Sequence, residues 1–205
     1  TITGADGVAL GIPNLTLLAP DETSANYRLV ISPNTAFDGL AVGETATLTI
    51  PYVVTDGDGD PATANFIITI TGTNDVPVIS VIAGTALNEQ TDTAPLIATI
   101  PVTFTDADYN DIGHHAEVTQ ISTSGVTTGL NLNNDDLIAL IGVGAVTKNA
   151  DSQNGSVDLT FTAPSTVFDY LATGEQVTLT YTLEVDDGDG GITTQTFTIS
   201  ITGTN

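Results

Sequence analysis

No cysteine occurs in the 205 residues, so neither a disulfide nor a thiolate-ligated metal site is available to the chain. In a small secreted domain, stabilisation would then have to come from the core or from oxygen-ligated metal. Basic residues are almost as scarce. Arg28 and Lys148 stand against 25 Asp and Glu, a formal net charge of −23. Ion pairing cannot neutralise such a chain, and its self-repulsion opposes the compact state. Either salt screens the charge or bound cations remove it. A basic patch for nucleic acid is excluded by the same count. Tryptophan is absent, and Tyr plus Phe reach only 5%. That is too little for the aromatic cleft that sugar hydrolysis by two carboxylates would need. No apolar run approaches the ~18 residues of a membrane-spanning helix, so no membrane insertion is expected. No basic-then-apolar leader stands at Thr1, and targeting signals therefore give no localisation.

What the chain does have is a long internal repeat. Thr55-Asp56-Gly57-Asp58-Gly59-Asp60, a β-patterned run and Ile70-Thr71-Gly72-Thr73-Asn74 recur as Val185-Asp186-Asp187-Gly188-Asp189-Gly190 through Ile201-Thr202-Gly203-Thr204-Asn205. The offset from Asn74 to Asn205 is 131 positions. It holds without a gap back to Phe37-Asp38 and Phe168-Asp169, across Ala41-Val42-Gly43-Glu44 and Ala172-Thr173-Gly174-Glu175. A fixed period marks a tandem array. Residues 1–74 read as an incomplete unit that matches the later two-thirds of a complete one, 75–205. Counterparts of the strands in 76–104 are missing from it. Three completions are open: a cut from a longer array, packing of the 76–104 strands back onto unit one, or strands from a neighbouring chain.

The local pattern is β throughout. Val8 to Leu18, broken at Pro13, and Tyr27 to Ile31 are short strand-like pieces, with turn clusters at Pro20-Asp21-Glu22 and Ser32-Pro33-Asn34. Alternation predicts strands at 45–55, 64–70, 76–83, 96–104, 116–122, 156–162, 176–185 and 193–202. The Asp/Gly tracts read as hairpins, because Gly and Asp tolerate the positive φ of tight turns. Asn134-Asp135-Asp136 as N-cap followed by Leu137 to Ile141 predicts one short helix, stopped by Gly142 and Gly144. Many short strands with one helical insert give an all-β fold: tandem antiparallel Greek-key β-sandwiches.

The acidic residues gather where strands end, which is where calcium finds carboxylates and backbone carbonyls together. Candidate ligands are Asp56, Asp58 and Asp60 in one hairpin, and Glu184, Asp186, Asp187 and Asp189 in its counterpart. Asn74 and Asp75 of the linker, Glu89, and Asp106, Asp108 and Asp111 complete the set. Asp106-x-Asp108 in an extended segment would turn both carboxylates to one side, able to share an ion. With the linker Asn and Asp and the Glu at 89, they would close an ion cage at the junction. The competing reading is a plain solvated acidic surface with ordinary Asp-Gly turns. An EF-hand loop from Asp56 is excluded, since Ile67 stands at its twelfth position instead of Glu. His114 and His115 point to opposite faces of a strand and are read as structural or surface residues. Glu44 and Glu175 are read as turn residues. No nucleophile constellation or phosphate loop is present, so no enzyme is expected.

The run from Thr55-Asp56-Gly57-Asp58-Gly59 to Ile70-Thr71-Gly72-Thr73-Asn74-Asp75-Val76-Pro77 resembles the end of a VCBS repeat and its junction to the next. Phe104-Thr105-Asp106-Ala107-Asp108, followed by Asp111-Ile112-Gly113-His114, is similar to the start of such repeats, which build RTX-type giant adhesins. The resemblance spans 75–205 and the later part of a unit in 1–74. It implies an immunoglobulin-like or cadherin-like sandwich, calcium near unit junctions, type I secretion and an extracellular place at a bacterial cell surface. Such repeats act as extenders, so the expected role is a calcium-stiffened spacer in adhesion or biofilm formation, partnered by neighbouring repeats. The alternative is a self-associating subunit of a filament or surface layer, with other copies of itself as partners, or a ligand-binding module.

Overall fold

The computed structural model describes residues 2–3, 9–20, 26–89 and 94–204. The expected starts and turns at Val8, Asp21, Glu22 and the repeat's last residue, Asn205, lie outside these. Two compact units form, one of Thr1–Asp75 with Ala107–Asn110, the other of Val76–Asp106 with Asp111–Asn205.

Unit one contains β1 (Ile2–Thr3), β2 (Ala9–Leu10), β3 (Asn14–Leu18), β4 (Arg28–Ser32), β5 (Thr45–Thr55) and β6 (Pro61–Thr71). They pair antiparallel as β1–β2, β3–β4 and β5–β6. Unit two contains β7 (Val78–Ile79), β8 (Thr85–Asn88), β9 (Leu96–Thr105), β10 (His115–Gly125), α1 (Asn134–Ile138), β11 (Ile141–Val143), β12 (Thr147–Lys148), β13 (Asn154–Ala163), β14 (Gln176–Asp186) and β15 (Ile192–Thr202). One of its sheets has the order β10-β14-β15-β8; the other runs β11-β13-β9-β7, with β12 also on β13. Strands 7, 8, 9 and 10 alternate between the sheets, so each crossing adds to both layers of one sandwich. β14 buries every second residue, Val177 through Val185, against Leu159 and Phe161 of β13 and Phe197, Ile199 and Ile201 of β15.

The 131-residue period is exact at the level of strands: β5 and β6 map onto β14 and β15 end for end. The motif residues have packing reasons. A Cβ at Gly72 would strike the carbonyls of Leu40 and Ala41, and at Gly203 those of Leu171 and Ala172, so the last strand must lie against that turn with no side chain between. Glu44 Oε2 accepts from Ala41 N–H at 3.0 Å and Glu175 Oε2 from Ala172 N–H at 2.9 Å, making both glutamates turn residues.

Several expectations are corrected. The helix cap is Asn133, which exchanges hydrogen bonds with Asp136 in a capping box. Asn134 is already helical, and the helix ends at Ile138 because Ile141–Val143 is drawn into β11. The strand expected over 76–83 shrinks to β7, with β8 following at Thr85–Asn88. The pairing of β8 with β15 is parallel, an exception to the antiparallel scheme. Since β7, β8 and β9 all pair inside unit two, the 76–104 strands do not complete unit one.

Unit one is left with a small buried cluster of Leu40 and Ala46, flanked by Phe37 and Ile70. The residues that fill the sandwich in unit two meet solvent at the same repeat positions in unit one. Val54 is 58% exposed where Val185 is 0%, and Phe66 48% where Phe197 is 2%.

Candidate cation sites

In unit two, the end of β9, the start of β10 and the β14–β15 hairpin meet at a corner rich in buried charge. Asp106, Asp111, His114, Lys148 and Asp187 are all buried there or beside it. His114 stacks on Phe104 at 4.9 Å between ring centroids, which fixes its ring plane. Its Nε2 lies 2.9 Å from Asp106 Oδ2 and its Nδ1 3.8 Å from Asp111 Oδ1. Nε2 is thus the nitrogen that meets Asp106, and Nδ1 the one that faces Asp111. Gly113 N–H donates to Asp111 Oδ1 at 3.3 Å, and Lys148 Nζ donates to the Asp111 carbonyl at 2.6 Å. Asp111 Oδ2 and His114 Nδ1 are buried and make no hydrogen bond.

Burial pushes the Asp111 carboxyl above the usual carboxylate range. The Gly113 N–H and the His114 charge pull it down, while the charges of Asp106 and Asp187 push it up again. A cation beside Asp111 would reverse that penalty. Among the described residues, Asp106, Asp111 and His114 gather their ligand atoms within 4.8 Å of one another, close enough to surround one ion. An imidazole nitrogen with carboxylates suits zinc, manganese and similar divalent ions, whereas calcium prefers oxygen alone.

Further oxygen donors lie in unit one. Asp108 is fully buried, and its Oδ2 accepts from Asp75 N–H at 2.8 Å. Asn110 Nδ2 donates to Glu44 Oε1 at 2.8 Å. Tyr109 N–H reaches the Gly39 carbonyl at 3.3 Å, and its ring fills the space a side chain at position 39 would take. Glu44, Asn74, Asp75, Asp108 and Asn110 supply carboxylate and amide oxygens of the kind calcium takes.

The Asp-x-Asp expectation is therefore modified. β9 stops at Thr105, and beyond it the chain bends instead of staying extended. Asp106 then turns to His114 while Asp108 turns to the Asp75 amide. Glu89 is also elsewhere. Its Oε2 accepts from Thr204 N–H and Thr204 Oγ1–H, both at 3.1 Å, at the end of β15 opposite the hairpin that carries Asp187. β15 spans 11 residues, so Glu89 and the Asp106 corner stand at opposite ends of the sandwich. Residues 75–106 look adjacent in sequence, but β9 carries the chain the length of the sheet between them.

The hairpin carboxylates serve their own turns. Asp56 Oδ1 accepts from Asp58 N–H and Asp60 N–H, both at 3.0 Å, which lowers its pKa, chiefly through the bond from Asp60. Asp187 Oδ1 repeats this with Asp189 N–H at 2.8 Å and Gly191 N–H at 2.9 Å. Asp186 Oδ1 accepts from Gly188 N–H at 2.8 Å. Asp58, Asp60 and Asp189 project into solvent. Glu184 stands across the sheet from Glu117, and Asp186 from His115. Like charges directly opposite each other weaken a strand pair.

Two residues of the corner escape sequence reading. His114 reads as half of a His pair, and nothing local links it to Asp106 eight positions earlier. Lys148 left one faint signal: it is the chain's single lysine.

No protein-family model matches the chain, and no curated protein matches it. Solved structures do. The CooA pilin subunit of enterotoxigenic Escherichia coli aligns over 64% of this chain and 100% of its own, with 12% identity and a TM-score of 0.42. Extracellular cadherin domains 1–5 of protocadherin gamma B2 align over 96% of this chain, which spans 32% of theirs, with 16% identity and a TM-score of 0.44. CfaE, the adhesive subunit of CFA/I fimbria of enterotoxigenic Escherichia coli, aligns over 99% and 82%, with 10% identity and a TM-score of 0.38. The all-β sandwich assignment rests on the strand pairings of the chain itself.

Proposed function

We propose that this chain is a calcium-stabilised extender segment of a bacterial surface adhesin, an extracellular spacer that carries no catalysis. The observation that carries the reading is the set of buried carboxylates, Asp106, Asp108, Asp111 and Asp187, against a single buried lysine among the described residues, Lys148. Burying several anions together costs several kcal/mol each unless cations compensate. The chain has too few basic residues to do so, and its net charge of −23 points the same way. Asp106, Asp111 and His114, whose ligand atoms lie within 4.8 Å of one another, would hold a divalent ion, and Asn74, Asp75 and Asp108 are the candidates for calcium. Bound cations supply charge neutralisation. The protein supplies fixed turns, so that loading stiffens a tandem array into a rod.

The test is thermal melting and small-angle scattering with calcium and with chelator. At calcium one hundred times its dissociation constant, binding adds about 2.7 kcal/mol. Chelation is expected to lower the melting temperature and shorten the particle; no change in either sinks the reading. A second reading, self-association into a filament or surface layer, is favoured by the exposed Val54, Phe66 and Ile67 of unit one. Ordered polymers in sedimentation with calcium present would support it over a monomeric spacer.

A further inference from the structure

In unit two, β8 covers the outer edge of β15. The register is parallel, with Ile199 opposite Thr85 and Ile201 opposite Leu87. Glu89 closes the strand. Its N–H donates to the Thr202 carbonyl at 2.8 Å, while its carboxylate accepts from the N–H and hydroxyl of Thr204 at 3.1 Å. Beneath it Phe168, Leu171 and Ile201 are completely buried.

Unit one carries the same receptor without the strand. β6 pairs β5 along one edge, and its other edge carries no strand among the described residues. The end of β6 takes part in a groove of about 260 Å³, whose lining includes Phe37, Leu40, Ile70, Thr71, Gly72 and Thr73 together with the carboxylates Asp38 and Asp75. Phe37, Leu40 and residues 70–73 sit 131 positions before residues of the covered site: Phe168, Leu171, Ile201, Thr202, Gly203 and Thr204. The floor is formed, since Leu40 is buried and Gly72 lies against the Leu40 and Ala41 carbonyls as Gly203 does against its own. Phe37 and Ile70 are only half-buried where Phe168 and Ile201 are fully buried. In unit two, β8 and the facing sheet both take part in covering the latter pair.

We infer that this groove is a docking site for an extended peptide segment with the chemistry of β8, added parallel to β6. Its occupant places an apolar residue opposite Ile70, as Leu87 stands opposite Ile201. Two positions later it places a glutamate whose N–H meets the Thr71 carbonyl and whose carboxylate meets the N–H and hydroxyl of Thr73. Main-chain hydrogen bonds along an open edge give such strand addition its affinity, and the side-chain pocket and terminal carboxylate give it register. The glutamate is specific because a groove ending in two donors leaves them unpaired with any segment that lacks an acceptor there. This inference does not depend on cation binding, because the Glu89 carboxylate of the template is met by the N–H and hydroxyl of Thr204.

The test uses the full 205-residue chain, isotope-labelled, titrated with a capped peptide of its own residues 82–90 and followed by amide NMR. The expected result is saturable shifts at Thr71, Gly72 and Thr73, with Thr204 unmoved. A Glu89→Gln peptide is expected to bind at least about fivefold more weakly, the loss of a charge-assisted hydrogen bond. A Leu87→Asp peptide is expected not to bind. The peptide fused ahead of Thr1 through a flexible Gly/Ser linker raises its effective concentration to about the millimolar range, and the same amides should then be shifted without titration. No shift at Thr73 in either format overturns the inference. So do equal shifts with a scrambled peptide, shifts confined to the Thr204 region, or self-association of the chain that the peptide does not displace.

Discussion

Phe66 and Phe197 offer a comparison that a single chain rarely provides: one residue type, one repeat position, two degrees of cover. Phe197 is 2% exposed, and its ring lies 5.3 Å from that of Tyr181 inside the sandwich. Phe66 is 48% exposed and rests on Tyr52 at 4.9 Å. Phe197→Ala removes a wholly buried ring and leaves a void that close-packed neighbours fill poorly, so the expected loss is about 3–5 kcal/mol. Phe66→Ala gives up about half of a transfer free energy of roughly 1.5–3 kcal/mol and opens to water instead of creating a cavity. Its ring contact adds up to about 1 kcal/mol, for an expected total near 1–2 kcal/mol. The difference, about 2–3 kcal/mol, comes from the missing cover alone. Urea unfolding followed by amide signals resolves the two units, with Leu179 and Ile201 reporting on one and Leu48 and Ile70 on the other. With slopes of about 1–3 kcal/mol per molar, Phe197→Ala should lower the midpoint of unit two by about 1 M or more. Phe66→Ala should move that of unit one by less. Equal losses, or a larger loss at Phe66, would refute the argument, because they would mean that the face of unit one is covered in solution.

Asp111→Asn tests the buried corner. The raised pKa of Asp111 means that the folded state holds its proton more tightly than the unfolded one. Stability from that proton is fully present below the unfolded value of 3.8. It is lost as pH rises through the higher folded value. In chelator, the asparagine variant should therefore gain on the native chain as pH climbs from 4 to 7, and it should lose most of the stabilisation by added divalent ions. Thermal melts across pH, with and without metal, check both signs. Tyr181→Phe removes the buried hydroxyl that donates to the Leu137 carbonyl at 3.0 Å and ties helix α1 to the core. The expected cost is about 1–2 kcal/mol, with faster amide exchange confined to 134–143.

The asymmetry between the two units also explains what could be read from the sequence. Hairpins and strand alternation are local, so Thr45–Thr55 and Gln176–Asp186 announce themselves as strands whether their apolar faces are covered or bare. The 131-residue period, the turn role of Glu44 and Glu175 and the all-β class follow from the same short-range chemistry.

Other features belong to the tertiary structure. Four residues, Thr85–Asn88, are too few to carry a period, and only the exposed edge of β15 makes them a parallel strand. Asp106 Oδ2 meets His114 and Asp108 Oδ2 accepts from the Asp75 N–H, partners that depend on how the chain bends after β9 ends at Thr105. Glu89 joins Thr204, 115 positions away, because a full strand length separates it from the corner it seemed to belong to. Asp111 and His114 share the loop between β9 and β10, but Lys148 comes to them from β12, 37 positions on from Asp111, so no spacing rule could have joined the lysine to the pair. Sequence fixes what a segment does by itself; which carboxylates share a neighbourhood is decided by where the sheets bring strand ends together.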